Sequence, residues 1–235
     1  MFEIISKTYP HDKTISIINS YLQQRQFVHI ISLNPENFVQ ASTNKQFAKA
    51  YTNAELIIID GAGIHLAAQM LNIPAGDRIT GVDLLQELVL TNKGKRIVFL
   101  GGFDGSAVRT IQYFADHAKL NNPQWFAIAD VDKDDSTLIH KVLQLSPDLL
   151  FVAFGSPAQE LWIEQYRQQL SGILCMGVGQ AFDVYSGLVS RAPSFVRSIG
   201  FEWLYRLITQ PWRWRRQLQL FQFIFMTLRY RYFRQ

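Results

Sequence analysis

Features of secreted and membrane-spanning proteins are scarce in this sequence of 235 residues. It has one cysteine, Cys175, so it cannot form an internal disulfide, which is typical of a reducing compartment. The first residues, MFEIISKTYPHDK, have neither the basic start nor the long apolar run of a secretory signal. The longest apolar stretch near the C-terminus, 218–228, has 11 residues and includes two glutamines, whereas a bilayer-spanning helix needs about 20 residues. We therefore expect a cytoplasmic protein without a membrane-spanning segment.

Acidic residues are nearly absent from the last part of the chain. Residues 191–235 contain nine arginines, no lysine and one acid, Glu202, for a net charge of +8, whereas the whole chain carries +4. The same segment has 12 of the 31 aromatic residues. The sequence therefore predicts two parts, a mildly acidic core over residues 1–192 and a basic, aromatic C-terminal appendage over residues 193–235.

Short apolar segments alternate along the chain with amphipathic helical patterns. Five segments are short, rich in β-branched or aromatic residues, and stopped by glycine, asparagine or aspartate, as buried strands are. They cover residues 27–34, 54–60, 96–102, 148–155 and 172–179. The alternation predicts an α/β fold with a mostly parallel, Rossmann-like sheet, helices on both of its faces, and a helical appendage at the C-terminus.

Polar residues and glycines follow each of the five predicted strands. Ser32 and Asn34 end the first strand, and Asp60 begins the DGAG that follows the second. GGFDGS, GSPAQE and GVGQAFD follow the other three. Ligands of open α/β sheets bind beyond the carboxyl ends of the strands, where backbone N–H groups and helix N-termini can face an anion. We therefore predict a phosphorylated or nucleotide ligand at this edge.

Each of these motifs also has a purely structural explanation. GGFDGS is typical of tight strand–helix turns, Asp60 could be a helix cap, and Gln159 of GSPAQE could be a first-turn residue without a ligand. The triplet Asp130–Asp132 resembles a metal-binding motif, but its loop setting favours an acidic surface turn.

Two classes of function follow from these patterns alone. A nucleotide-binding oxidoreductase would fit the parallel sheet, but it needs a full glycine fingerprint with an acid about 20 residues further on, which is not seen. A non-enzymatic membrane- or nucleic-acid-binding module would fit the appendage. The acidic core and the long apolar run within the appendage argue against nucleic acid as the partner.

A third class of function comes from a resemblance that covers most of the chain, from about Phe27 to about Gln217. Three segments carry it: DGAGIHLAAQMLNIPAGDRITGVDLLQEL, LLFVAFGSPAQELWIEQYRQQL, and GVGQAFDVYSGLVSRAPSFVRSIGFEWLYRLITQPWRWRRQ. They resemble bacterial glycosyltransferases of the wall-teichoic-acid N-acetylmannosaminyltransferase type. That group also includes enterobacterial-common-antigen N-acetylmannosaminuronic acid transferases and exopolysaccharide glucosyltransferases. The resemblance implies an inverting, metal-independent transfer from a UDP-sugar to a polyprenyl-diphosphate-linked saccharide at the cytoplasmic face of the membrane, without a cofactor.

The resemblance also assigns roles to individual residues. Asp60 matches the proposed catalytic base, and three arginines of the appendage match the family's C-terminal arginines: Arg206, Arg213 and Arg216. The residues that match substrate contacts are Ser32, Asn34, Arg78, Gln159 and Asp183. Ser32 replaces the usual threonine, Ala158 a common lysine, and Gln180 a small residue. These departures leave the reaction class unchanged but put the identity of the transferred sugar in doubt.

The chemistry of the appendage agrees with this assignment. With no convincing metal cluster in the sequence, arginines must stabilise the UDP leaving group. Arg206, Arg213 and Arg216 are spaced for one helix face, which Pro211 must kink or split between two helices. The appendage's tryptophans, arginines and apolar run favour an anionic membrane surface, although the segment could instead pack on the core as a helix pair. A homo-oligomer is also possible.

Overall fold

The computed structural model describes residues 1–120, 123–129, 131–198, 200–211 and 214–233. Its centre is a six-stranded sheet in the order β2-β1-β6-β5-β3-β4, in which all neighbours are parallel. The strands are β1 (Val28–Leu33), β2 (Leu56–Ile59), β3 (Ile97–Gly101), β4 (Trp125–Ile128), β5 (Leu149–Ala153) and β6 (Leu174–Gly177). The predicted α/β fold with a parallel sheet is confirmed.

Helices account for most of the other described residues. In the first 192 residues they are a 3₁₀ helix (Phe2–Lys7), α1 (His11–Gln24), α2 (Pro35–Thr43), α3 (Lys45–Asn53), α4 (Ala62–Leu71), α5 (Gly81–Thr91), α6 (Ser106–Ala118), α7 (Leu138–Gln144), α8 (Ala158–Gln165) and α9 (Ala181–Tyr185). In the predicted appendage they are α10 (Ser194–Ser198), α11 (Glu202–Thr209) and α12 (Trp214–Phe233). None of the helices in the described ranges is long and apolar enough to cross a membrane.

The strands read as continuous apolar runs because both faces of the sheet are covered by helices. Side chains of adjacent residues in a strand point to opposite faces. Ile30 of β1 packs in a cluster with α5, α6 and α9, whereas its neighbour Ile31 packs in a second cluster with α2, α3 and α4. A third cluster joins β3 and β5 to α7 and α8. This layering leaves the carboxyl ends of the strands free to form a site.

The strand β4 is the one strand that the sequence pattern did not predict. It lies at the edge of the sheet and has only four residues, of which Trp125 alone is buried. β4 pairs with a neighbouring strand on one edge only, where Phe126 lies opposite Val98 of β3. The other edge strand, β2, has all four residues buried, so the partial burial of β4 rather than its edge position explains why its pattern is weak.

The last helix, α12, lies against the core rather than apart from it. Phe223 is 2% exposed and belongs to the same cluster as Phe2 and Phe38, with ring centroids 6.3 and 5.1 Å away. Tyr230 packs on Phe2 at 4.6 Å. α11 ends at Thr209 and α12 begins at Trp214, so Arg206 and Arg216 of the anticipated arginine face belong to two different helices.

Candidate active site

A cleft of about 640 Å³ lies beyond the carboxyl ends of β1 and β2. Residues of α2, α4, α11 and α12 form its walls. Its polar lining consists of Asn34, Glu36, Asp60, Arg78, Thr80, Glu202, Arg206 and Thr227. The cleft therefore combines residues of the predicted core with residues of the predicted appendage, and four of the predicted site residues are among them.

Asp60 occupies its position because β1 and β2 end side by side. Its backbone N–H donates to the Leu33 carbonyl at 2.8 Å, which continues the β1–β2 pairing by one residue. Gly61 follows with φ +143°, a backbone conformation that side chains disfavour, and α4 begins at Ala62. The Asp60 Oδ2 accepts a hydrogen bond from the Gly81 N–H at 3.2 Å. The carboxylate is thus held at the floor of the cleft, against the start of α5.

The surroundings of Asp60 raise the pKa of its carboxyl above the ordinary value. Burial is the main cause, and the negative charge of Glu202 adds to it. The Gly81 hydrogen bond and the charges of Arg206 and Arg78 act in the opposite direction but do not cancel the effect. A carboxylate that binds a proton more tightly than usual is a better proton acceptor near neutral pH.

Two arginines enter the cleft from different parts of the chain. Arg78 is placed by a bridge to the end of β2, where the Ile79 N–H donates to the Ile59 carbonyl at 2.9 Å. Its Nη2 donates to the Arg197 carbonyl at 2.9 Å. Arg206 reaches the cleft from α11, and its Nη2 lies 2.7 Å from the Glu202 Oε1, one helical turn away. An anion in the cleft would meet both guanidinium groups.

Asn34 and Ser32 lie beside Asp60, and both have structural contacts there. The Asn34 Oδ1 accepts from the Asn37 N–H at 2.8 Å, so the side chain caps α2 while it lines the cleft. A Cβ on Gly81 would lie 3.4 Å from the Ser32 Oγ and 3.5 Å from the Asp60 Oδ2. Ser32, Asp60 and the backbone of Gly81 therefore meet at one point. The proposed contacts of Ser32 and Asn34 with substrate stay predictions.

Gln159 and Asp183 lie at the ends of other strands and do not line this cleft. Gln159 is 4% exposed, and its Oε1 accepts from the Gly179 N–H at 3.0 Å while its Nε2 donates to Glu160 at 2.8 Å. A Cβ on Gly177 would lie 2.6 Å from that Nε2. Gln159 thus supports the loop after β6. Asp183, in α9, is partly exposed, and its backbone carbonyl accepts from Val189 at 3.0 Å. Their roles toward substrate stay predictions.

Two predicted arginines cannot be placed in the site. Arg213 lies outside the described residues. Arg216 belongs to the first turn of α12, but its side chain is outside the described part of the structure. The expectation that both contact the leaving group stays a prediction.

Four polar members of the cleft were not among the predicted site residues: Glu36, Thr80, Glu202 and Thr227. Glu202 pairs with Arg206 and is the only acid in the sequence of the appendage. A single acid among the arginines was the one sequence feature that could have marked it as a site residue. Thr80 is the N-cap of α5, and its Oγ1 accepts from the Asp83 N–H at 3.1 Å. Asp83 in turn pairs with Arg191 at 2.7 Å. This pair attaches the segment that leads to α11 to the start of α5.

No cation site is evident in the part of the chain that the structure describes. Within it, no group of three or more histidine, cysteine, aspartate or glutamate side chains could hold a metal ion. Asp130 of the acidic triplet lies outside the described residues. Asp132 is exposed, and its Oδ1 accepts from the Asp134 N–H at 3.0 Å, as in a surface turn.

Comparison with known proteins gives a match over nearly the whole chain. The model of the glycosyl transferase WecG/TagA/CpsF family matches residues 3–235. A protein of Bacillus spizizenii strain W23 is 33% identical over 216 residues, which cover 90% of this chain and 82% of the relative. A protein of Staphylococcus aureus strain NCTC 8325 is 30% identical over 195 residues, covering 83% and 76%. Both relatives bear the name N-acetylglucosaminyldiphosphoundecaprenol N-acetyl-beta-D-mannosaminyltransferase.

Proposed function

The chain belongs to the glycosyl transferase WecG/TagA/CpsF family, and we propose that it transfers an N-acetylmannosamine-type sugar from a UDP-sugar to a polyprenyl-diphosphate-linked saccharide. The names of the relatives support this choice of sugar and of acceptor. Because Ala158 and Gln180 depart from the usual residues, the corresponding uronic acid and a glucose-type sugar are the alternative donors.

One observation in the structure carries the proposal: a carboxylate of raised pKa, Asp60, shares a cleft with two arginines. Glycosyl transfer needs both parts. The acceptor hydroxyl must lose a proton as it attacks, and the diphosphate must take up negative charge as it leaves. Asp60 supplies the first requirement, and Arg78 and Arg206 supply the second.

The proposed reaction is a direct displacement with inversion at the anomeric carbon. The acceptor oxygen forms a bond to the anomeric carbon while the bond from that carbon to the UDP oxygen breaks. The acceptor's proton passes to Asp60, and the electron pair of the broken bond leaves with UDP. A positioned base of this kind contributes typically 10²–10⁴-fold to the rate.

We assign stabilisation of the leaving group to arginines rather than to a divalent cation or other cofactor. Guanidinium groups can make charge-assisted, bidentate bonds to phosphate oxygens. Arg206 is held at 2.7 Å by Glu202 in the structure, so the diphosphate would compete with that carboxylate for the guanidinium. Arg213 and Arg216 complete the set in this proposal.

We further propose that the protein works as a peripheral protein at the inner face of the plasma membrane. The support is the side of α12 that does not contact the core, where Leu218, Phe221, Phe225 and Tyr232 are exposed. Arg229 and Arg231, also exposed, follow on the same helix. Aromatic and arginine side chains together favour an anionic lipid surface. We call this exposed side of α12 its outer face. Nucleic acid has no part in the proposal.

The decisive experiment offers the purified protein several UDP-sugars together with a synthetic polyprenyl-diphosphate N-acetylglucosamine, and follows the product by mass spectrometry. We expect one of the three sugars named above to be transferred with inversion. Asp60→Asn should lower kcat by at least about 10²-fold while UDP binding stays nearly normal. Asp12→Asn is the matched control, because that carboxylate is fully exposed on α1. Near-normal turnover by Asp60→Asn would remove Asp60 from the mechanism, and the absence of any product would refute the proposed activity.

A further inference from the structure

The cleft has two ends of opposite polarity. Asp60, Arg78 and Arg206 form the polar end, beside the ends of the strands. The other end lies between α4 and α12 and is lined by apolar side chains: Leu66, Met70, Leu220, Phe223 and Ile224. We call this apolar end the α4–α12 groove. A sugar nucleotide and a sugar acceptor would use the polar end, but neither accounts for an apolar extension of this kind.

The groove follows from the spacing of residues on its two helices. Leu66 and Met70 are four residues apart on α4, and Leu220 and Ile224 are four residues apart on α12, so each pair lies on one face of its helix. Gly63 lies where α4 meets both α2 and α12: a Cβ there would lie 2.8 Å from the Pro35 Cγ, which is too close, and 3.9 Å from the Leu220 Cδ1, which is an ordinary contact. Both walls are open to solvent, with Leu66 on α4 58% accessible and Ile224 on α12 45% accessible.

We propose that the α4–α12 groove binds the first isoprene units of the polyprenyl acceptor. This inference rests on the proposed function and adds a subsite to it. In a polyprenyl-diphosphate saccharide, the diphosphate separates the sugar from the hydrocarbon chain. The cleft offers a partner to both ends of this molecule: a proton acceptor at Asp60 for the sugar hydroxyl, and an apolar groove for the hydrocarbon chain.

The groove and the outer face of α12 are different surfaces of one helix. Leu220, Ile224 and Thr227 line the cleft, whereas Phe221 and Phe225 point away from it and are each 66% exposed. The prenyl chain is therefore bound by the protein itself, and lipid need not be present for the contact. Affinity should rise roughly fourfold for each methylene equivalent that is buried. Prenyl length should matter even for water-soluble acceptors.

The test uses acceptors without membranes or detergent. N-acetylglucosamine diphosphates carrying one, two or three isoprene units are compared as acceptors. The KM should fall at least about tenfold from one unit to the longer chains, with little change in kcat, and the gain should stop once the groove is filled. Binding of inorganic diphosphate and of the corresponding prenyl diphosphates is measured by calorimetry on the same protein, so the groove is tested even if no sugar is transferred.

Variants identify the surface that produces the dependence on prenyl length. Leu66→Ser and Ile224→Ser should each remove most of the dependence on prenyl length in both assays. Both residues are exposed, so both variants should fold, which circular dichroism checks. Val108→Ser on α6, also an exposed aliphatic residue, is the matched control and should behave as the wild type. Equal affinity for all prenyl lengths would overturn the proposal. The proposal would also be overturned if Phe225→Ser lost the dependence on prenyl length while Leu66→Ser kept it. That result would place the prenyl chain on the outer face of α12. Failure of the proposed function looks different: prenyl diphosphates would bind with length dependence, but no sugar would be transferred.

Discussion

Replacing Phe223 by alanine should release α12 from the core. The Phe223 ring is 2% exposed and packs against Phe38 and Phe2, with centroids 5.1 and 6.3 Å away. The hydrogen bond from the Gln40 Nε2 of α2 to the Gln219 Oε1 of α12 is long, at 3.4 Å. The buried ring therefore supplies a large share of the free energy that holds the helix in place.

The size of the effect can be worked out from the burial of this ring. Truncation of a buried phenylalanine to alanine costs about 3–5 kcal/mol, because apolar contact is lost and a cavity remains. If that cost falls on the docking of α12, the fraction of molecules with α12 detached rises by about 10²–10⁴-fold. Transfer should then fall, because α11 and α12 form one wall of the cleft.

Hydrogen exchange followed by mass spectrometry can measure this change. Amides of α12 in Phe223→Ala should exchange faster by a factor in that range, while amides of β1 and β5 keep their protection. Phe221→Ala is the control, because Phe221 lies on the same helix but is 66% exposed. If α12 and the central strands lose protection to the same extent, the helix unfolds together with the sheet. The division into a core over 1–192 and an appendage over 193–235 would then not describe how the chain unfolds.

Four further predictions concern charge, pH and metal. Glu202→Gln should move the acid limb of the pH profile of kcat/KM to lower pH, because the Glu202 charge raises the pKa of Asp60. An acid limb at the same pH or at higher pH would contradict this prediction. Asp60→Asn should raise the urea midpoint at pH 7. The pKa of Asp60 is raised above 3.8 in the folded state, so its ionised carboxylate opposes folding at pH 7. The higher urea midpoint of the variant should disappear below pH 3.8, where Asp60 is protonated in both the folded and the unfolded state. Equal midpoints at pH 7 would contradict this prediction. Reversing the charge of Arg229 and Arg231 should weaken binding to anionic vesicles in flotation by about 2 kcal/mol for each site, because one positive charge is lost and one negative charge is added, and should spare turnover of a soluble acceptor; unchanged flotation would contradict the membrane assignment. Activity should survive EDTA; complete loss that Mg²⁺ or Mn²⁺ restores would assign the leaving group to a metal.

Most of the sheet could be predicted because its strands are buried on both faces. The runs that contain Ile30, Phe99 and Phe151 are apolar throughout, since helices cover each side. The strand β4 was not predicted because three of its four residues, Phe126, Ala127 and Ile128, are only partly buried. Burial rather than position in the sheet leaves the signal, since β2 lies at the other edge and is buried throughout.

The site was predictable only where the sheet itself positions the residue. Asp60 could be found because carboxyl ends of neighbouring parallel strands meet at one edge. No local pattern shows that Glu202 and Arg206 reach that edge from α11, or that Leu66 faces α12, because those contacts depend on how the appendage packs. For Gln159 the pattern located a strand end correctly but could not show that its amide holds the Gly179 N–H.

The electrostatics of Asp60 therefore come from two parts of the chain. The core supplies its burial, the Gly81 N–H and Arg78, whereas α11 supplies one charge of each sign, Glu202 and Arg206. These two side chains pair at 2.7 Å, and their effects on the pKa of Asp60 have opposite signs. Under the proposed mechanism, a diphosphate that binds Arg206 draws the guanidinium away from Glu202 and brings further negative charge beside Asp60. The pKa of Asp60 then rises further, so the base becomes strongest when the donor is in place.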